Sequence, residues 1–323
     1  MFERRNKMKR KGFTLVELLV VISIIALLMA ILMPALAKVK QLAHRMVCGT
    51  NLSGIGKSMI MYSTDNHEEY PIAGPPSSTA FGRWGTTAGW QFPIRKNVWV
   101  NTATITSSFY LLIKFADAQP KQFVCKGDVG SKIFKLSEAP NVQIDDLTEA
   151  WDFGPTQGPI KPGKFCSYSY NMPYYWAGPT RENYPVTTVT NPGCAVAADR
   201  NPWFDKNAQS YIIAPVTKEN PHQYLGEDLT YQDPGKRSSC AAHQRDGQNV
   251  LFNDSHVKFE RFPNCGVNND NIYNYWNTKI PTQQIREIGP YHGDIQQPYG
   301  NAWHPSTEED SVLVNETTYT TIN

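Results

Sequence analysis

From Leu18 to Ala37 the chain is apolar at every position except Ser23 and Pro34, and a single glutamate, Glu17, stands at the head of the run. That length matches the roughly 20 residues a helix needs to cross a bilayer core. Pro34 removes one backbone donor and crowds the preceding turn, so a kink is expected there. Beyond it the spacing changes. Leu42, Met46, Leu52, Ile55, Met59 and Tyr62 recur mostly at intervals of three and four, with Lys38, Lys40, Gln41, Arg45, Asn51 and Lys57 on other faces. This predicts an amphipathic continuation that needs a partner surface. Gly49, Gly54 and Gly56 weaken it modestly, so packing must hold it. The pattern fades at Asp65-Asn66, and Tyr70-Pro71 opens a loop. A helix from Phe13 to Asp65 would be about 80 Å long.

After Pro71 the apolar runs become short and are bounded by Gly, Pro, Ser, Thr and Asn. "KNVWV", "KQFVC", "CSYSYN", "CAVAAD", "SYIIAPV", "QNVLFND" and "HVKFERF" read as strands of an antiparallel sheet with long loops. Ile105–Ala118 has the pattern of a second helix. The fold class is therefore α+β. It divides into a basic leader (1–12), a membrane-spanning helix (13–37), its amphipathic continuation (38–70), a globular head (71–280) and a polar, turn-rich C-terminal extension (281–323).

Charge sharpens the first boundary. Arg4, Arg5, Lys7, Lys9, Arg10 and Lys11 against Glu3 give the leader +5, and a net charge of +2 leaves −3 for the remainder. A slightly acidic body argues against nucleic-acid binding through a basic face. Basic residues beside an apolar span stay on the cytoplasmic side, so the head is expected outside the cytoplasm. With 41% hydrophobic and 19% charged residues across the whole chain, a folded body is expected and wholesale disorder is not. Six cysteines, Cys48, Cys125, Cys166, Cys194, Cys240 and Cys265, lack any CxxC pair. Export suits disulfides, buried free thiols suit the same residues, and spacing does not select a pairing. Cys48 with Cys125 is the pairing we favour.

Gly12-Phe13-Thr14-Leu15-Val16-Glu17, followed by the apolar run, resembles the processing site of type IV prepilins and type II secretion pseudopilins. The resemblance implies cleavage between Gly12 and Phe13 by a membrane prepilin peptidase. The same enzyme would methylate the new Phe13 amine using S-adenosylmethionine, and Glu17 would become the fifth residue of the mature chain. It also implies a role in assembly for Glu17, whose carboxylate would face the terminal amine of a neighbouring subunit, and for Pro34, which falls where such proteins carry a helix-breaking proline. The expected partners are that peptidase/N-methyltransferase, copies of the chain or other pilin-like subunits, and a secretion or pilus platform in the inner membrane.

"CGTNLSGIGKSMIMYSTDNHEEYP", "FVCKGD", "CSYSYN", "AADRNP" and "VNNDNIY" resemble landmarks of a pilin-like group abundant in planctomycete-type bacteria. The late signature of that group is a histidine, nine residues, then Asp-Gly. Here ten residues separate His243 from Asp254, and Ser255 replaces the glycine. His243, Asp254 and His256 have the chemistry of metal ligands, while a hairpin over Asn249–Phe259 accounts for the same stretch. Asn268-Asn269-Asp270-Asn271, with Asp199 and Asp205, offers oxygens that would suit structural calcium, and polar turns explain them equally. No other cofactor is expected.

A filament subunit without enzymatic activity is therefore the leading expectation. A membrane-tethered binding protein, gripping polysaccharide with the aromatic stretches Asn171–Tyr184 and Asn271–Asn277, is the alternative. An ion-dependent surface hydrolase has least support: no Gly-x-Ser-x-Gly occurs, and Asp145-Asp146 is a lone acidic pair.

Overall fold

The computed structural model describes residues 14–73, 104–128, 130–138, 146–154, 162–171, 173, 184–202, 211–212, 227–228, 239–273, 275–276, 286–287 and 307–315. "KNVWV", Asp145, Asp205 and most of the Asn171–Tyr184 stretch lie outside these residues. The chain forms two units, Met1–Ala43 and His44–Asn323.

Helix α1 (Leu15–Asp65) is one element through Pro34, and it ends where its pattern fades. In the first unit its apolar side chains, from Leu15 and Val16 through Leu36 and Val39, are exposed. The helix is long and apolar enough to cross a membrane. In the second unit Cys48, Leu52, Ile55 and Met59, spaced four, three and four apart, form a buried stripe. Met46, six residues before Leu52, sits about 120° around the helix from that stripe, and both it and Leu42 are exposed. Gly56 allows close approach to the sheet: a Cβ there would lie 2.8 Å from a methyl of Leu251.

Five strands make an antiparallel sheet: β1 (Tyr168–Asn171), β2 (Ala195–Asp199), β5 (Gln248–Phe252), β6 (Val257–Glu260) and β9 (Leu313–Val314), in the order β6-β5-β2-β1-β9. Two short pairs stand apart, β3 (Tyr211–Ile212) with β4 (Glu227–Asp228) and β7 (Tyr275–Trp276) with β8 (Arg286–Glu287). This long helix followed by an antiparallel head is the expected α+β architecture.

Helix α2 (Ile105–Phe115) stops short of the expected Ala118. Thr104 opens it as a capping box with Ser107, and Ile105 to Ile113 are all buried. Phe109 lies 5.7 Å from Phe123 and 5.1 Å from Tyr170, and Tyr110 meets Phe153 edge-on at 5.0 Å, so aromatic packing joins α2 to the sheet.

Two expectations change. "KQFVC" is not a strand: Pro120 occupies the first turn of a 3-10 helix (Pro120–Phe123) that buries Phe123. Asp310–Asn315, within the stretch read as a polar extension, are buried in the core. Ser311 Oγ accepts from the Ala195 backbone N–H at 3.0 Å, which anchors this segment beside β2, and β9 then pairs with β1.

Candidate functional site

At the start of α1, Thr14 and Glu17 hold each other. Glu17 Oε2 accepts from the Thr14 backbone N–H (2.9 Å) and hydroxyl (2.7 Å), and Thr14 Oγ1 accepts from the Glu17 backbone N–H at 3.3 Å. This reciprocal capping box satisfies donors that a helix start leaves free. The Thr-x-x-Glu spacing carries that signal in the sequence, and it is distinct from the charge and the apolar periodicity. Gly12 and Phe13 lie outside the described residues, and Pro34 sits exposed within α1.

His243, Asp254 and His256 fall into two places. The β5–β6 hairpin forms with Asn253-Asp254-Ser255 at its corner, and Ser255 takes a left-handed φ of 71° at the position of the glycine in the resembling motif. At this corner Asp254 Oδ1 contacts His256 Nδ1 and accepts from the His256 backbone N–H at 3.1 Å, and the His256 ring stacks on Phe252. Slight desolvation raises the Asp254 pKa, but the hydrogen bonds from His256 outweigh it and hold the carboxyl below its ordinary value. Both side chains are about half exposed.

His243, by contrast, is buried at the end of a short 3-10 turn (Ala241–His243), with Cys48, Cys125 and Asp199. Cys48 on α1 and Cys125 form a disulfide. His243 Nε2 lies 3.6 Å from Cys125 Sγ, 3.0 Å from Asp199 Oδ2 and 3.3 Å from Asn249 Nδ2. Asn249 donates to Asp199 Oδ2 through its backbone N–H (2.6 Å) and its side chain (3.0 Å). Cys125 opens a tight turn in which the Asp128 backbone N–H donates to Cys125 O at 3.1 Å and the Gly127 backbone N–H donates to Cys125 Sγ at 3.3 Å. Gly127 is required there, because a Cβ would fall 2.1 Å from Ala242 O and 3.2 Å from His243 Nδ1. One ligand atom from each of Cys48, Cys125, Asp199 and His243 lies within 4.8 Å of the others. Nothing in their spacing announces this. Cys48 and Cys125 are 77 residues apart, and Cys125 and His243 are 118 apart. Only the topology brings β2, the Cys125 turn and the histidine together.

The neighbouring landmarks are structural. Arg200 reaches Asp128 at 3.3 Å and donates to Cys166 O and Gly163 O at 2.6 and 2.8 Å. Burial raises the Asp128 pKa, yet Arg200 and the local hydrogen bonds hold it below its ordinary value. Cys166, Cys194 and Cys240 are buried thiols outside the bridge, and Cys265 is half-buried. Desolvation pushes Cys166 and Cys194 up to about 12, which leaves them unreactive. In the oxygen-rich stretch, Asp270 Oδ2 accepts from the Ser311 backbone N–H (2.9 Å) and Asn271 Oδ1 from that of Tyr273 (3.1 Å), while Asn268 donates to Glu309 (3.0 Å).

The prokaryotic N-terminal methylation motif matches residues 7–33, which bracket the Thr14–Glu17 cap and most of the apolar run. The type IV wide pilus major component PilA4 of Thermus thermophilus is 46% identical over 57 residues. The chain is type IV pilin-like. That match covers 18% of this chain and 44% of the pilin, under half of its length. No solved structure matches the chain. The methylation motif ties the pilin-like signal to residues 7–33, and the head is described by its own geometry.

Proposed function

We infer that this pilin-like chain is a structural subunit of a type IV pilus-like or type II secretion pseudopilus-like filament. A prepilin peptidase cuts between Gly12 and Phe13, removing the +5 leader, and methylates the Phe13 amine. The mature chain waits in the inner membrane through α1, with its head outside the cytoplasm, until a secretion or pilus platform draws it out. Copies of the chain, or other pilin-like subunits, then cover the apolar helix.

The observation that carries this reading is the apolar, fully exposed N-terminal stretch of α1 headed by one carboxylate. Lipid or neighbouring helices can both shelter such a face, so transfer between them need not expose it to water. A lone carboxylate costs roughly 2.5–3.5 kcal/mol at the centre of a bilayer core and less toward its edge, whereas one facing an ammonium recovers much of that penalty. Within its own chain Glu17 Oε2 is held by the Thr14 N–H and hydroxyl, and the ammonium that pairs with it is the Phe13 amine of a neighbouring copy. The pilus named in its relative's description supports the same assembly.

Glu17→Gln tests the reading, because glutamine preserves the capping-box acceptor and removes only the charge. The variant should be trimmed to Phe13, as read by intact mass, and remain in the membrane but be missing from filaments sheared off the surface. Wild-type incorporation of the variant overturns the charge-pairing role. A wild-type chain still starting at Met1, in cells holding an active prepilin peptidase, overturns the whole assignment.

A further inference from the structure

The buried group around His243 is more than a disulfide needs. A bridged sulfur is a weak acceptor and requires no partner, yet Cys125 Sγ receives the Gly127 N–H and faces an imidazole nitrogen. An amide two residues on, donating to a cysteine sulfur within a tight turn, is an arrangement suited to a thiolate. Three groups converge on the single atom Nε2: a carboxylate, an amide N–H and a sulfur. One ring nitrogen carries either a hydrogen or a lone pair, so it cannot serve the carboxylate and the amide donor together. A catalytic relay would use both ring nitrogens, one toward the acid and one toward the sulfur. Here acid and sulfur approach the same one, as ligands do around a centre. Asp199 is fully buried, and its Oδ1 has no hydrogen-bond partner among the described residues.

We propose that Cys48, Cys125, His243 and Asp199 form a buried tetrahedral zinc site when the bridge between the two cysteines is open. Two thiolates, one imidazole and one carboxylate are all ordinary zinc ligands. Tetrahedral zinc–sulfur and zinc–nitrogen bonds place their donors about 3.6 Å apart. The Cys125 Sγ–His243 Nε2 separation is already 3.6 Å. The ion would take the Nε2 lone pair and an Asp199 oxygen, removing the conflict at Nε2. Asn249 then orients the carboxylate from outside. Zinc displaces one proton from each thiol. The metal form and the disulfide form exclude each other, because both use the same two sulfurs. This site lies wholly in the second unit, His44–Asn323, and does not depend on how the chain assembles.

The test uses the full chain in detergent micelles. A phosphine opens the bridge: it takes the oxygen of one water to become phosphine oxide, and that water's two hydrogens pass to the sulfurs. After chelation and readdition of Zn²⁺, the reduced chain should retain about one zinc through gel filtration, and the disulfide form none. Co²⁺ in its place should give the strong visible bands of a tetrahedral ion and a near-ultraviolet thiolate-to-cobalt transition. Asn249→Ala, which removes only the outer support, should weaken zinc by about 10–100-fold. The proposal is overturned if the reduced wild-type chain retains no zinc, including through unfolding that zinc does not reverse. It is equally overturned if the disulfide form binds as much, or if cobalt binds without the thiolate transition. These readouts need no filament, so they fail or succeed separately from the assembly reading.

Discussion

Asp152 gives the head a pH dependence opposite to that of an ordinary paired carboxylate. Its side chain is fully buried: Oδ2 accepts from the Thr104 hydroxyl at 2.6 Å, and Oδ1 from the Phe153 backbone N–H at 2.7 Å. Burial dominates over these hydrogen bonds and the one from Thr106, and the carboxyl is pushed up to about 7 from 3.8. Between those two values the folded chain keeps a proton that the unfolded chain releases. Stability from this group is therefore complete below about pH 4, falls as pH rises toward 7, and is level above that. A gap of about three units at 1.36 kcal/mol each amounts to about 4 kcal/mol. Asp152→Asn imitates the neutral acid: its oxygen can still accept from Phe153, and the Thr104 hydroxyl can turn toward Thr106 Oγ1, 2.9 Å away. Urea unfolding of both chains, followed by tryptophan fluorescence from pH 4 to pH 8, isolates Asp152 because the other carboxylates cancel in the difference. The wild type should lose about 4 kcal/mol relative to the variant across that range. A difference that stays level, or that moves the other way, refutes the claim that Asp152 is held neutral by burial.

Two further outcomes follow from the head. The Cys48–Cys125 bridge closes a 77-residue separation, so phosphine reduction in the presence of a chelator should lower stability by about 4–5 kcal/mol on chain-entropy grounds; urea midpoints of the two forms measure it, and a change below about 1 kcal/mol would contradict a bridge that constrains the unfolded chain. Ser255→Gly relieves a left-handed backbone at the hairpin corner and should raise the thermal midpoint, by about 0.5–1 kcal/mol in stability; a loss of stability would show that the serine side chain outweighs its backbone strain.

Much of this molecule was legible one residue type at a time. The spanning run, the glutamate at its head, the helix end near Asp65 and the β5–β6 hairpin are each written in contiguous residues, because hydrophobic periodicity and turn chemistry act over a few positions. The same locality explains the errors. "KQFVC" has strand-like composition, but Pro120 and the need to bury Phe123 made a 3-10 turn of it. Leu42 and Met46 fit the helical interval yet stand exposed, because Cys48 rather than Met46 continues the Leu52–Ile55–Met59 stripe.

What sequence alone determined here was the anchor: the length of its apolar run and the basic cluster before it are local properties of one contiguous stretch. Only the tertiary structure decided that Cys48, Cys125, Asp199 and His243 meet. They come from a helix, a turn, a central strand and a 3-10 segment far apart in the chain. Side chains that distant share a site only after strand order and helix docking have been chosen, and burial of the whole core makes that choice.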